Sequence, residues 1–512
     1  MLAPTLFHRA CWSDIASRKF CSKMTKVPVK SFDIFDTLVA RRCVHPYNIF
    51  YFVERRSSHA DFTRMRVLAE RQISGQDYDL QAIYRAMQIL FNIDSERLAV
   101  LMQMELEEEF ANLIPIRENC LLVAPGDLLV SDMYLPMPFL LRVVDEKCGL
   151  KFNQIYLTTH GKSRGTAWST LNQKFDITLH VGDNPHSDIF MAEKYGIPAQ
   201  LTTISKLTEV EQHLADSGFE PLAWAVREAR LDLTTTGEDA RAIALGQIEA
   251  NFPLLYLASM MLLRHAAARG WKKLLFSARD CYFWHDLFSR LAASVAGPPS
   301  HYFMTSRLAR SHPSESYLKY FNSICGDRPA AIVDICGTGW SLTRLLDAVV
   351  ATEVDIVLLQ RIADQNMIDL YQRLGGVAEI RPIVSLIGEM DNTILEAFNV
   401  APHKMVRDTI EEGGIHFPVF FDLPEGAEYR AAALVSQRAY ELVRDKASAI
   451  SAGQIMHMLS LVESHHLQGM AEFLRTHAAA VATIRTAQMT ENRPVLEMIS
   501  ARARDALARR AG

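Results

Sequence analysis

The stretch Ser31-Phe32-Asp33-Ile34-Phe35-Asp36-Thr37-Leu38-Val39 constrains this chain more than any other. An apolar, strand-like run meets a carboxylate at Asp33, and a threonine follows at Thr37. In α/β proteins, crevices open beyond the carboxyl ends of buried strands. Asp33 therefore stands where a nucleophile belongs. Taken alone, an acid after an apolar run reads as a turn or cap residue. Three later stretches supply further parts of one chemistry, in chain order.

Leu128-Leu129-Val130-Ser131-Asp132 is a second apolar run, and it ends in a small hydroxyl, Ser131. His160-Gly161-Lys162-Ser163-Arg164-Gly165 follows the strand-like Ile155-Tyr156-Leu157 and brings a cation, Lys162. Leu179-His180-Val181-Gly182-Asp183 is another strand-like run, and a second acid, Asp188, comes five residues after Asp183. Singly, these read as a helix N-cap, a solvated surface charge and an ordinary turn. Four pieces in order, each after a strand-like segment, outweigh those readings.

The set resembles the motifs of the haloacid dehalogenase (HAD) superfamily, whose first motif is Asp-x-Asp-x-Thr. The resemblance implies an α/β, Rossmann-like core with a helical cap. It implies Asp33 as the nucleophile and Ser131 as a hydrogen-bond donor to the transferring group. Lys162 would keep the nucleophile ionised and neutralise developing charge. Asp33, the backbone carbonyl of Phe35, Asp183 and Asp188 would hold Mg²⁺, which favours hard oxygen ligands. Asp188 would bind directly, through water, or by orienting Lys162. The implied reaction is hydrolysis of a small phosphorylated metabolite, a sugar phosphate or nucleotide, through an aspartyl-phosphate.

One position departs from the family. Phe35 stands where most HAD phosphatases carry a second aspartate that protonates the leaving oxygen. Asp36 is adjacent, and neighbouring side chains on a strand face opposite ways unless the backbone turns sharply. His160, Asp36 and Asp132 are the candidate substitutes. The departure leaves open a phosphatase with its acid elsewhere, a hydrolase of another ester or halide, and a weakened module that binds or scaffolds. The lysine and paired acids place the phosphatase first.

Residues 42 to about 120 read as helices over Pro46 to Glu54, Asp61 to Ile73, Leu80 to Phe91 and Ser95 to Leu113. Asp94 or Ser95 is the expected N-cap of the last. The run Glu105, Glu107, Glu108, Glu109 reads as a solvated face. An all-helical insert here is similar to the HAD cap that closes over the site and excludes water. Phe62 to Glu70, Ile83-Tyr84 and Ser131 to Leu135 narrow the resemblance to large predicted bacterial HAD hydrolases associated with glycosyltransferases and surface polysaccharides.

With 512 residues the chain exceeds one core, so two or three domains are expected. The first, 31–205, follows a flexible or over-extended basic extension over 1–30. Residues 206 to 240 read as polar and helical, with a loop at Thr234 to Gly237. A second Rossmann-like α/β domain spans 240–425. A long apolar helix over Ala242 to Ala268 precedes strands at Lys273 to Phe276, His301 to Met304, Ala330 to Val333 and Val354 to Leu359. Alternating strands and helices argue for a parallel sheet, with polar strand ends along one edge.

Those ends carry Arg279, Arg307 and Asp334-Ile-Cys-Gly337-Thr338-Gly339-Trp-Ser341. A glycine turn opening a helix suits a phosphate, and arginines suit an anion. The loop resembles that of type I phosphoribosyltransferases, except that Val333 replaces an acid, so a bifunctional enzyme is a second reading. Arg279, Arg307, Asp334, Gly337, Thr338, Gly339 and Ser341 are thus anion-site candidates. Tight packing and surface salt bridges are the plain alternatives. Glu389, Glu396 and Asn399 are expected near the rim. Residues 426–512 read as a helical tail or dimer element.

Apolar residues make up 49 % and charged residues 22 %, as in ordinary globular proteins. The net charge of −5 offers no general attraction to nucleic acid. Eight scattered cysteines suit a reducing cytoplasm, and no stretch is long enough for membrane insertion. Expected partners are the small metabolite, a second copy, or surface-polysaccharide enzymes.

Overall fold

The computed structural model describes residues 26 and 28–501, apart from 76, 152, 236, 327, 350–352, 364–378, 423–425, 489–492, 494–496 and 499–500. It is an α/β protein built on two parallel sheets. Most of the expected extension over 1–30 lies outside the described residues. Its end does not: the first strand starts at Pro28, three residues before the expected boundary.

The strands of the first half are β1 (Pro28–Phe32), β2 (Val39–Arg41), β3 (Leu113–Pro115), β4 (Leu128–Asp132), β5 (Gln154–Thr158), β6 (Asp176–Gly182) and β7 (Ala199–Leu201). The first sheet has the order β5-β4-β1-β6-β7, with every neighbour parallel. Both of its faces are covered. On β4, Leu129 packs with Phe32 and Val181, while Leu128 and Val130 pack with Trp168 and Ile177 on the other side. Burial on both faces is why these strands read as unbroken apolar runs rather than alternating ones. The chain moves outward from β1 through β4 to β5, then returns to β6 on the opposite side of β1. That reversal puts the crevice between the carboxyl ends of β1 and β6.

Strands β2 and β3 form an antiparallel pair, Val39 opposite Pro115 and Arg41 opposite Leu113. Between them stand four helices, Tyr47–Ser57, Phe62–Ile73, Leu80–Phe91 and Ser95–Asn112. The side chain of Asp94 accepts from the amides of Glu96 and Arg97, so it is the N-cap of the last helix. The insert ends at Asn112, earlier than the expected 120, because Leu113 already pairs with Arg41. The acidic run is not one solvated face. Glu105 and Glu109, one turn apart, point inward and are 1 % and 4 % exposed. Glu105 receives two hydrogen bonds from Arg66, and Glu109 pairs with Arg41 at 2.7 Å. Glu107 and Glu108 do face solvent, with Arg56.

The second sheet holds β8 (Lys273–Ser277), β9 (Ser300–Phe303), β10 (Ala330–Gly337), β11 (Val354–Arg361) and β12 (Ile383–Ile387). Its order is β12-β11-β10-β8-β9, again parallel throughout. This is the flavodoxin-like order, with its switch point between β8 and β10. An antiparallel hairpin, β13 (Val406–Glu412) and β14 (Ile415–Phe420), follows.

The helical segments on either side of this sheet are part of its core. Leu214, Phe219 and Val226 pack in one cluster with Leu255, Phe276 and Val333. Tyr440, Met458 and Met470 join the same cluster, so residues 427–476 are not a detached tail. The expected apolar helix is present as Glu238–Gly246 and Phe252–Arg269, joined by the wider π-turn Gln247–Asn251. The helix Glu220–Asp232 seats against the first half: Leu231 packs with Ala40, Ile114 and Ile116, and Arg227 Nε donates to the Arg41 carbonyl at 3.1 Å. Among the described residues no helix is long and apolar enough to cross a membrane.

Candidate active site

Asp33 follows β1 directly. Its amide donates to the Val181 carbonyl of β6 at 2.9 Å, and the residue is 5 % exposed. Asp183 follows β6, so the two acids flank the switch point. Ser131 lies two residues past Leu129, the β4 partner of Phe32, and is buried at the same sheet edge.

Lys162 reaches this edge from the short helix Gly161–Arg164. Its Nζ donates to Asp33 Oδ1 at 2.5 Å and to Asp188 Oδ1 at 2.6 Å. The helix is held by Asp132, whose carboxylate accepts from the amides of Lys162 and Ser163 and from the Thr158 hydroxyl. Those bonds make Asp132 a positioning residue and remove it as a substitute acid.

Asp188 enters on the turn Pro185–Phe190, started by Asn184, whose side chain accepts from the amides of His186 and Ser187. Its Oδ2 accepts from the Asn184 amide at 3.0 Å, and His180 Nε2 stands 3.4 Å from Oδ1. The His180 ring is oriented by Ser31 Oγ, 2.8 Å from Nδ1. Gly182 is required here for space: a Cβ on it would lie 2.4 Å from Asp188 Cγ. His180, Ser31 and Asn184 escaped the sequence reading, although each adjoins a motif residue.

Oxygen atoms of Asp33, Asp183 and Asp188 lie within 4.8 Å of one another. Burial pushes the Asp33 carboxyl up to about 8; Lys162 opposes this, while Asp188 and Asp183 add to it. Burial, then Asp36 and Asp188, push Asp183 up to about 6. Asp188 goes the other way. Burial would raise it, but Lys162 and His180 hold it below the usual carboxylate range. Burial would lower Lys162, yet Asp33 and Asp188 hold it above its ordinary value. Three carboxyl groups, all hard oxygen donors, crowd one ammonium, and the raised Asp33 and Asp183 show that their charges lack a counter-ion. The cluster therefore suits a hard divalent cation.

The Phe35 side chain is buried in the core it shares with the four-helix insert, with the Arg41 guanidinium 5.2 Å from its ring centre. Asp36 adopts a left-handed conformation, φ +59°, and its amide donates to the Val39 carbonyl. The chain does turn sharply there. Burial raises the Asp36 carboxyl, against Arg41 and Arg227, and its charge in turn acts on Asp183. His160 Nε2 is buried without a hydrogen-bond partner, and its ring meets Tyr78 of the insert edge-on.

At the second sheet, Arg279, Arg307 and Asp334 line one cleft, and Gly337, Thr338, Gly339 and Ser341 line its extension. Arg310 was missed by sequence: one helical turn after Arg307, it bonds Asp334 at 2.7 Å. Glu396 lines the cleft as expected. Asn399 does not; it is fully buried and exchanges hydrogen bonds with Asn251 at 3.0 and 3.1 Å. The Glu389 carbonyl instead accepts from Arg475 at the surface.

No family model matches the chain, and comparison with curated proteins finds no match.

Proposed function

We propose that residues 28 to about 205 form a HAD-type, Mg²⁺-dependent phosphatase acting on a small phosphorylated metabolite. One observation carries this reading: Asp33 lies at the crevice between β1 and β6, bonded to Lys162 and within 4.8 Å of Asp183 and Asp188 oxygens. Bound there, Mg²⁺ would screen the phosphoryl dianion from an anionic nucleophile.

Lys162 holds one oxygen of Asp33, and the other attacks phosphorus to form the aspartyl-phosphate. The P–O bond to the leaving group breaks as the Asp33–phosphorus bond forms. Ser131 and Lys162 stabilise the transferring group. Proton delivery to the leaving oxygen falls to Asp36, whose raised carboxyl suits an acid. Water then cleaves the acyl phosphate, with Asp36 as base. The four-helix insert, joined through β2 and β3, acts as the cap that excludes bulk water.

The test is phosphate release from sugar phosphates, nucleotides and an aryl phosphate, with Mg²⁺ or EDTA. Metal-dependent release that disappears in Asp33→Asn is expected. Asp36→Asn should lower kcat by roughly 10²–10⁴-fold. Release undiminished in Asp33→Asn would refute the reading. The buried Phe35 favours a second one, a weakened module that binds ligand without turnover. Saturable substrate binding with no release from any of these esters would support it.

A further inference from the structure

The second sheet carries a cleft of its own, independent of the Asp33 site. It opens at the switch point between β8 and β10, where ligands bind in such sheets. It has two lobes that share Arg307, Arg310, Asp334 and Cys336.

The smaller lobe is built for an anion. It is lined by the turn Gly337-Thr338-Gly339 and the opening residues of the helix Trp340–Ala348. Gly339 has φ +79°, and a Cβ on it would lie 2.4 Å from Ile383 Cδ1, so only glycine makes this turn. A helix start presents amides and a positive dipole end. A second, independent feature points to a ligand. Arg310 is only 9 % exposed; its Nη1 is committed to Asp334, but its Nε is buried with no hydrogen-bond partner. A buried guanidinium nitrogen left unpaired is costly unless an acceptor joins it. The acid in this lobe, Asp334, is tied to Arg310, which leaves Arg307 to face an incoming charge.

The larger lobe is built differently. Asp280 and Glu396 line it with Thr305 and Ser306. Carboxylates and hydroxyls in an open cleft accept from, and donate to, the hydroxyl groups of a polyol.

We propose that this cleft binds a phosphorylated sugar. The phosphate lies in the glycine lobe against Arg307 and Arg310, and the sugar hydroxyls lie against Asp280 and Glu396.

The test is titration calorimetry on the full chain carrying Asp33→Asn, so that turnover at the first site cannot consume the probe. Ribose 5-phosphate and glucose 6-phosphate are the probes, with ribose and inorganic phosphate as their separate halves. At least one sugar phosphate should bind about tenfold tighter than either half. Adding Arg307→Ala should weaken it about tenfold or more, as loss of a charge-assisted bond does. Asp280→Asn should weaken the sugar phosphates but not inorganic phosphate. Adding Lys162→Met should leave the affinity unchanged. Should Arg307→Ala fail to fold, Ser341→Asp places a like charge in the same lobe and should abolish binding. No saturable binding of either sugar phosphate overturns the proposal. So does binding that survives Arg307→Ala but is lost with Lys162→Met, which would move the ligand to the first site.

Discussion

Replacing Lys162 by methionine removes the ammonium that lies between Asp33 and Asp188, 2.5 and 2.6 Å from their oxygens. The side chains of all three are at most 7 % exposed. Deleting one partner of a buried ion pair costs about 3–5 kcal/mol, because the other charge stays buried and uncompensated. The lower end applies here, since Asp33 can take up a proton; its carboxyl is already pushed up to about 8 by burial. A loss of about 3 kcal/mol lowers the melting temperature of a unit this size by roughly 6–12 °C. The variant should show that loss in EDTA. Magnesium should then reverse much of it. A ligand at a hundredfold excess over Kd stabilises by about 2.7 kcal/mol. Without the ammonium, the cation supplies the positive charge that the carboxyl cluster lacks, so it should bind more strongly than in wild type. Scanning calorimetry of both proteins, in EDTA and in millimolar MgCl₂, reads both effects. The electrostatic account fails if Lys162→Met melts within about 2 °C of wild type in EDTA. It fails equally if magnesium shifts the variant no more than the wild type.

Gly182→Ala would place a Cβ 2.4 Å from Asp188 Cγ and displace that carboxylate. Magnesium affinity, measured by titration calorimetry, should fall roughly 10–100-fold; unchanged affinity would mean Asp188 takes no part in metal binding. Glu249 is held up to about 7 by burial, against an ordinary value of 4.5, with Arg230 opposing and Glu211 reinforcing. A group raised on folding stabilises below its unfolded value and loses that contribution as pH rises through its folded value. Between about pH 4.5 and 8 wild type should therefore lose on the order of 3 kcal/mol more than Glu249→Gln does. Melting curves across that range settle it; parallel curves for the two proteins count against the assignment. In the insert, Arg66 is fully buried, bonded twice to Glu105, which also accepts from Tyr84. Arg66→Met should cost about 3–5 kcal/mol in urea unfolding, and Arg66→Met/Glu105→Leu should recover most of it. A double variant as unstable as the single one would show that packing, not charge, dominates there.

The strands that carry chemistry were legible because their burial is two-sided. A run such as Leu128-Leu129-Val130 stands out against any helix pattern, and its end locates the sheet edge. The last two insert helices were legible through their three- and four-residue apolar spacing. Strand β12 and the hairpin β13–β14 were not. On β12 only Leu386 and Ile387 are buried, and Pro418 interrupts the apolar pattern of β14. The site's charged residues were found where they end a strand. Arg310 was hidden because it acts from the middle of a short helix, and only its three-residue spacing from Arg307 signals a shared face.

The segment 206–240 was read as polar and helical; its helices are present, but the burial of its charged residues was missed for a different physical reason. Arg227, Arg230, Glu211 and Glu249 look like solvent-facing charge, yet all are at most 8 % exposed. Composition cannot distinguish a charged residue facing water from one paired in a core, because the pairing partners lie far apart in sequence. Arg227 shows the consequence. It bonds the Arg41 carbonyl of β2, 186 positions away, and its charge reaches Asp36. Strand β2 begins two residues after Thr37, so a residue from the segment read as polar and helical presses on the loop that carries the proposed acid. The helix Glu220–Asp232 packs against the first half through Leu231 and contributes Val226 to the core around the second sheet. Ionic contacts reinforce the seam at Arg42–Glu228 and Arg117–Asp232, and Lys446 of the C-terminal region closes on the same two acids. A chain cut at 205 would expose Ala40, Ile114 and Ile116 and take the Arg227 donor from the Arg41 carbonyl. The unit proposed as a phosphatase, in the physical sense of what must be present to hold Asp36 in place, therefore extends through Asp232.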